Sequence, residues 1–359
     1  MNGVSDSSRF VGWPAVLAQL FRREDLSSTL ASATFEAILS GESKPTQIAA
    51  FVAALKTKGE TVDEITGFVE AMRRAGEHVD LEVDAIDTCG TGGDRSTTIN
   101  VSTSAAFVAV GAGAVVAKHG GRAASSKSGS ADVLEALGVA IELGPDGVKQ
   151  CIESVGIGFC FAPRFHPAMR FVAPVRGELG VPTIFNVLGP LANPAGVTRQ
   201  VVGVGDPAMA EKMLGVLEAF GSHHAIVCYG NDGLDELSTV TTSTIFESSL
   251  SPDGARERRS YQLDPQSLGL APAMLSDLQG GNPAHNAERL RAILSGAAGP
   301  QRDIVLLNAA AALVVADIAK DIAAGLALAE ESIDSGAALA ALDRLISLSR
   351  ELGGSEPRV

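Results

Sequence analysis

The chain has 359 residues, 46% of them apolar and 19% charged, with a net charge of −14. That length is ample for a large buried core, in two domains or one enlarged α/β domain, and the acidic balance opposes a general role in binding nucleic acid or anionic membrane. No apolar run is long enough to span a bilayer, the opening MNGVSDSSRF lacks a secretory layout, and Cys89, Cys151, Cys160 and Cys228 show no C-x-x-C spacing. A cytoplasmic protein with reduced thiols, and neither a zinc site nor a disulfide framework, is expected.

In chain order, residues 9 to 80 predict helices. Trp13 to Phe21, Leu26 to Leu39, Thr46 to Lys58 and Thr61 to Ala75 carry apolar residues at three- and four-residue spacings, punctuated by Pro45 and Gly59. From about residue 83 the pattern alternates. Strand-like runs VVAKH at 115, IGFCF at 157, TIFNVL at 183, QVVGV at 200 and AIVCY at 225 are separated by helix-length segments. Such alternation predicts a mostly parallel sheet covered on both faces, with ligands beyond the carboxyl ends of the strands. Residues 247 to 265 are polar and turn-rich and read as a surface excursion, and the alanine-rich last hundred residues read as covering helices.

The stretch DTCGTGGDRSTTINVST, Asp87 to Thr103, is a glycine turn between an apolar run and a helix-like run. Gly90, Gly92 and Gly93 let main-chain N–H groups close around oxygens, and Asn100, Ser102 and Thr103 add side-chain donors where a helix begins. An anion cradle follows, most plausibly for phosphate, although it matches neither the Walker pattern nor the dinucleotide fingerprint. Cys89 lies inside the turn, but no partner base marks it as a nucleophile.

A second loop, Lys118-His119-Gly120-Gly121-Arg122-Ala123-Ala124-Ser125-Ser126, follows a strand and gathers cations and hydroxyls around two glycines. Ser128 to Asp132 then opens another helix. Two cradles suggest a ligand phosphorylated at two places. Asn231-Asp232-Gly233-Leu234-Asp235-Glu236 supplies carboxylates after a third strand, hard oxygen donors of the kind that suit Mg²⁺. All three segments could share one cleft. His119 reads as a structural or ribose-contacting residue in preference to a base.

These stretches, with GESKPTQIAAFVAALKTKGET at 41, RFHPAMRFVAPVRGELGVPTIFNVLGPLANP at 164 and DGLDELS at 232, closely resemble the anthranilate phosphoribosyltransferases of tryptophan biosynthesis, in the family's order and over most of the chain. The resemblance implies a small N-terminal helical domain, residues 1–80 joined by a segment near 165–190. It is followed by a larger α/β domain, residues 81–359, with a mostly parallel central sheet covered by helices. It places phosphoribosyl pyrophosphate against Gly90, Gly93, Asp94, Thr98, Asn100, Val101, Ser102 and Thr103. On the second loop it takes in Lys118, His119, Gly120, Gly121, Arg122, Ala123, Ala124, Ser125 and Ser126, with Ser130 beyond them. Ser102, Asp235 and Glu236 fall on magnesium ligands, with two ions expected, and Gly90, Gly121 and Arg176 fall where anthranilate is contacted. Arg164, His166 and Arg170 lie in a stretch similar to the acceptor entrance. A homodimer through the helical domain is implied, with no nucleic-acid or membrane partner.

One position departs from the family pattern: Gly121 stands where asparagine is usual and offers no side-chain amide to the acceptor. It leaves open a related ribosyl transferase or phosphorylase with another acceptor. A non-catalytic nucleic-acid-binding homologue is opposed by the acidic pair and the net charge. The expected reaction transfers phosphoribose to the amine of anthranilate and releases pyrophosphate. Lys118 and loop N–H groups would neutralise the leaving group, with no general base required.

Overall fold

The computed structural model describes residues 10–94, 96–123, 126–251 and 253–355. Helices α1 (Trp13–Phe21), α2 (Ser28–Leu39), α3 (Pro45–Lys58) and α4 (Val62–Ala75) form where the apolar spacing predicts them. Side-chain caps set their starts. Ser27 Oγ accepts from the Leu30 N–H at 3.2 Å, and Thr61 and Glu64 bond reciprocally as a capping box. The buried Glu64 carboxylate also accepts from the Leu26 N–H at 2.9 Å and from Lys58 Nζ at 3.0 Å, so one side chain ties α4 to the entry of α2 and the exit of α3.

The α/β part runs β1 (Ile86–Gly90), α5 (Val101–Gly111), β2 (Val116–Gly120), α6 (Ser130–Leu137), α7 (Pro145–Val155) and β3 (Ile157–Phe161). The chain then crosses through three short helices, α8 (Ala162–Phe165), α9 (Ala173–Leu179) and α10 (Ile184–Leu191). It returns as β4 (Arg199–Gly203), α11 (Ala210–Ala219), β5 (His224–Gly230), β6 (Ser243–Leu250) and β7 (Arg256–Leu263). Helices α12 (Pro283–Leu294), α13 (Pro300–Val315), α14 (Ile322–Asp334) and α15 (Ala337–Ser355) close the described chain.

The strand order is β3-β2-β1-β4-β5-β6-β7, parallel through the first five and antiparallel at β6 and β7. From β1 the chain winds outward through β2 and β3, then restarts on the other side at β4. The crevice between β1 and β4 is therefore the topological switch point, where open α/β sheets bind ligands. Both faces of the sheet are covered. On β4 and β5, Val201, Ile226 and Cys228 enter one core with α5 and α13, while Val202, Ala225 and Val227 enter another with α1 to α4, α10 and α11. The period-two alternation of a strand thus feeds two apolar cores, as a parallel sheet covered on both sides requires.

Two sequence expectations are corrected. TIFNVL at 183 is helix α10, not a strand. Ile184, Phe185, Val187, Leu188 and Leu191 are all buried, a helical spacing, and Asn186 Oδ1 accepts from the Thr183 N–H at 3.1 Å at the helix start. Local capping and tertiary burial override the β-propensity of an apolar run that short. Residues 247 to 265 are not an irregular excursion but the bulk of the β6–β7 hairpin. Its outer strand hides its pattern because Glu257, Arg258 and Arg259 face solvent, the charged dressing of a sheet edge.

The hairpin is fastened by Glu247, buried on β6. Its carboxylate accepts from His224 Nε2 at 2.9 Å, from Arg259 Nε at 3.0 Å and Nη2 at 2.8 Å, and from Tyr261 Oη at 2.8 Å. Burial alone would raise its pKa, but the bonds from His224, Arg259 and Tyr261 outweigh it and hold the carboxyl at about 2, below the ordinary 4.5. A folded value below the unfolded one makes this contribution complete above about pH 4.5 and lost as the pH falls toward 2. Arg259 is largely exposed, so screening keeps the effect to about 2 kcal/mol. Glu247→Gln should lower the unfolding free energy by about that amount at neutral pH, and the gap from the native protein should close in acid. Chemical denaturation at stepped pH values measures both, and a gap that persists undiminished at pH 2 would show that the carboxylate charge is not its source.

Candidate active site

The cleft is built at the carboxyl ends of β1 and β4, whose last residues, Gly90 and Gly203, are partners in register. Neither needs a left-handed backbone; both need the absence of a side chain. A Cβ on Gly90 would lie 2.4 Å from Asp235 Oδ2, and one on Gly203 would lie 1.6 Å from the Asp235 carbonyl oxygen. Two bare strand ends thereby admit the acidic segment after β5. Gly92 and Gly93 do adopt left-handed conformations, φ 67° and 87°, which turn the chain back over the crevice. Asp235 Oδ2 accepts from the Gly92 N–H at 2.7 Å, and Glu236 Oε1 accepts from the Ser102 N–H at 3.2 Å, in the first turn of α5.

Lys118, buried on β2, donates through Nζ to the Thr88 carbonyl at 2.6 Å and reaches Ser102 Oγ at 3.5 Å. Its strand is held by Asp87, wholly buried on β1. Asp87 Oδ1 accepts from the His119 N–H at 3.2 Å and Oδ2 from Asn193 Nδ2 at 2.8 Å, while the same amide nitrogen donates to the Ala117 carbonyl at 2.8 Å. Asn100 does not cap α5 with its side chain. Its Nδ2 donates to the Ser128 carbonyl at 3.0 Å and its Oδ1 accepts from Asn286 Nδ2 at 2.8 Å, so it ties the first loop to the second and to α12.

The electrostatics of this cluster ask for a cation. Burial, then the neighbouring charge of Asp94, pushes Asp235 up to about 7 against the bond from Gly92. Glu236 is raised well above its ordinary value by burial and by the charges of Asp235 and Asp94, with Lys118 opposing. Among the described residues no three His, Cys, Asp or Glu form a complete metal cage. Two buried carboxylates and a hydroxyl fit Mg²⁺ in its common form, with remaining positions left to substrate phosphate and water. Cys89 offers no competing chemistry, because burial and the Asp87 charge raise its thiol well above the ordinary range.

On the second loop Arg122 borders the cleft and is tied to α6. Its guanidinium pairs with Asp132 at 3.0 Å and Glu135 at 2.8 Å, so the cation is already engaged. Asp132 Oδ2 also accepts from the N–H groups of Ala123 at 2.9 Å and Gly129 at 2.8 Å, which fixes the loop on α6. Ala124 and Ser125 lie outside the described residues. Apart from the entrance residues Arg164, His166 and Arg170, every other residue singled out in the sequence for donor, metal or acceptor borders one cavity of about 360 Å³, from Gly90, Gly93, Asp94 and Thr98 through Lys118, Gly120, Ser126 and Ser130 to Asp235 and Glu236.

A second, more apolar cavity of about 810 Å³ adjoins it, and His119, Gly121, Arg176, Phe185 and Asn186 border both. Arg176 on α9 is desolvated enough to depress its pKa, and no acceptor among the described residues meets its guanidinium. Met72, Met169 and Pro182 supply apolar wall, and Arg170 and His166 line the outer part. Arg164 instead pairs with Glu77. His119 Nδ1 bonds the Gly189 carbonyl at 2.9 Å and His166 Nε2 the Ala192 carbonyl at 3.0 Å, with the rings edge to face at 5.2 Å. Burial and the neighbouring imidazole lower His119 to about 3, and burial lowers His166 to about 4, so both stay neutral. Sequence reasoning missed Gly203, Asn193, Asn286, Phe185 and Asn186. Only Gly203, a glycine closing a strand, carried a local signal.

A phosphate cradle, a buried acidic pair and an apolar chamber with an unpaired guanidinium, all at the switch point of a sheet capped by a helical bundle, define a glycosyl transferase of the phosphoribosyl-transferring class. The helical-bundle domain of a glycosyl transferase family matches residues 14–76, and the family's a/b domain matches residues 82–339. The anthranilate phosphoribosyltransferase of Roseiflexus castenholzii is 51% identical over 334 residues, 93% of this chain and 97% of that protein. That of Thermomicrobium roseum is 51% identical over 344 residues, 95% and 98% of the two chains. The crystal structure of the Thermus thermophilus enzyme superposes with a TM-score of 0.86 at 41% identity, covering 93% of this chain and 99% of that one. The Saccharomyces cerevisiae enzyme in complex with PRPP and Mg gives 0.86 at 30% identity, covering 94% and 98%. The chain belongs to the anthranilate phosphoribosyltransferase family.

Because Asp235 fits only against two bare strand ends, Gly203→Ala should displace the acidic segment and cut magnesium-dependent turnover by about 10²-fold or more, since displacements near 1 Å cost that much. Circular dichroism separates this from unfolding; a folded variant with native turnover would show that the close approach does not matter.

Proposed function

We propose that this chain transfers the 5-phosphoribosyl group of phosphoribosyl pyrophosphate to the amino group of anthranilate, giving N-(5-phosphoribosyl)anthranilate and pyrophosphate. One observation carries the reading. The acidic, amide-lined cavity shares a wall with an apolar chamber at Arg176, so a donor's ribose carbon and an aromatic acid can meet at that wall. In the transfer the bond between the ribose C1 and the pyrophosphate oxygen breaks, its electron pair leaving with pyrophosphate. The amine nitrogen forms the new bond to C1 and then gives up a proton to water.

Within this reading the N–H groups of the glycine loop, the start of α5 and Lys118 receive the leaving group's charge. Magnesium, when held by Ser102, Asp235 and Glu236, would supply further charge neutralisation on the pyrophosphate. Donor contacts extend over Gly93, Asp94, Thr98, Asn100, Val101 and Thr103, and over Gly120, Gly121, Arg122, Ala123, Ser126 and Ser130. His119 is kept neutral and bound to a carbonyl, which suits a wall residue more than a base. An aryl amine needs none; positioning against C1 dominates. Gly90, Gly121 and Arg176 face the acceptor, the guanidinium pairing with its carboxylate.

The division into a helical unit over 1–80, joined by 165–190, and an α/β unit over 81–359 belongs to the same proposal, supported by the core that α1 to α4 share with α9 and α10. So does a homodimer through the helical unit, on which Phe21 is 67% exposed. No helix among the described residues is long and apolar enough to cross a membrane; a cytoplasmic location goes with the biosynthetic reaction.

The test is loss of anthranilate fluorescence with phosphoribosyl pyrophosphate and Mg²⁺. Donor consumption that requires a different amine would replace anthranilate as the acceptor. Arg176→Ala should raise the KM for anthranilate roughly 10- to 100-fold while leaving that for the donor nearly unchanged, the scale of a lost charged hydrogen bond. Equal effects on both substrates would take Arg176 out of the acceptor site. A Cβ on Gly121 meets only Ala162 Cβ, at 3.8 Å, so a side chain has room. Gly121→Asn should therefore tighten anthranilate binding, read as a lower KM; an unchanged KM means that main chain or water already fills the role.

A further inference from the structure

We propose that Asn308, in the middle of α13, is a positioning residue for the metal end of the site. The proposal rests on the assignment of Ser102, Asp235 and Glu236 to the metal, and Asn308 itself touches no substrate.

Asn308 is 1% exposed, and its neighbours along α13 from Ile304 to Val315 are apolar and buried. An amide in such a helix contributes nothing to apolar packing and costs free energy unless every polar atom is bonded. All of its bonds are made. Nδ2 donates to the Ile304 carbonyl at 2.8 Å, one turn back, and to the Leu237 carbonyl at 2.9 Å, while Oδ1 accepts from the Leu237 N–H at 3.0 Å. Two of the three bonds therefore grip the main chain of one residue, the one that follows Glu236.

That grip acts on the acidic pair through peptide planarity. The Leu237 N–H and the Glu236 carbonyl belong to the same rigid plane, so fixing one fixes the direction in which the chain leaves Glu236. The segment is braced on both sides. The Asp235 carbonyl lies over bare Gly203, and beyond Leu237 the Ser238 N–H donates to Ser243 Oγ at 2.8 Å while Ser238 Oγ donates to Asp232 at 2.6 Å. Helix α13 also packs directly on α5, whose first turn carries Ser102. One helix thus abuts the element bearing the hydroxyl and clamps the segment bearing the two carboxylates, and Asn308 is the side chain that sets their mutual register. The run Ala309 to Ala312, wholly buried, keeps α13 slim enough for this approach.

The test is uptake of Mn²⁺, a paramagnetic stand-in for Mg²⁺, followed by electron paramagnetic resonance with phosphoribosyl pyrophosphate present. The native protein is measured first; if it takes up no Mn²⁺ with the donor, the metal assignment itself fails, and this inference with it. Asn308→Ala, and Asn308→Leu, which is near in volume, should each, in protein that circular dichroism shows to be folded, weaken Mn²⁺ binding about 10- to 100-fold, the usual effect of removing a support behind a metal ligand. The Mg²⁺ concentration for half-maximal turnover should rise by the same factor, with the KM for anthranilate unchanged. Val305→Ala, a core truncation on the same helix with no bond to Leu237, should lower the melting temperature and leave Mn²⁺ affinity native. Asn308 variants that melt earlier yet bind Mn²⁺ like the native protein overturn the proposal, as do variants that raise the anthranilate KM as much as the metal requirement.

Discussion

Two carboxylates brought out of water onto main-chain N–H groups are the constraint around which this molecule is arranged. Asp235 on Gly92 and Glu236 on Ser102 lie within a cluster that also contains Asp94, with Lys118 as the neighbouring cation. Such crowding persists only where the scaffold over-determines it. Here strand β1 and strand β4 end in glycine side by side, α5 begins beneath them, and α13 presses from behind. The raised carboxyls express a site shaped for charge that arrives with the ligand.

The apolar chamber rests on a different constraint. Helices α9 and α10 cross from the α/β sheet to the N-terminal bundle and pack with it in one core, so the wall that carries Arg176, Phe185 and Asn186 stands between two bodies. His119 and His166 bind carbonyls at the end of α10 and remain uncharged, which ties that wall to both rings. Asn193, immediately beyond, anchors α10 to β1 and β2 through Asp87 and Ala117. The donor and acceptor halves are thereby locked to the same pair of strands.

Much of this was legible in the residues. Four amphipathic helices, four strand positions and three polar loops announced themselves through local periodicity and turn chemistry, and the loops do converge on one cavity. What stayed hidden shares a cause: it depends on partners distant in sequence. TIFNVL looks like a strand until Asn186 caps its start and both of its sides are buried. The pairing of Arg122 with Asp132 and Glu135, 10 and 13 residues on, leaves no local mark. Asn286 and Asn308 look like incidental amides in covering helices, because Asn100 and Leu237 lie 186 and 71 residues away. The β6–β7 pair was obscured by its own edge charges, which serve to prevent pairing with other chains and so erase the alternation that would reveal a strand.

The placement of Asp235 and Glu236 on the cradle's own N–H groups has a consequence for selectivity. A small anion arriving alone finds the Gly92 and Ser102 amides already bonded to Asp235 and Glu236. If Asp235 and Glu236 take the metal as proposed, a diphosphate that brings divalent cations would draw them off those amides and free the N–H groups for its oxygens. On the proposed assignment the cradle would favour an anion that brings its own cations over one that comes bare.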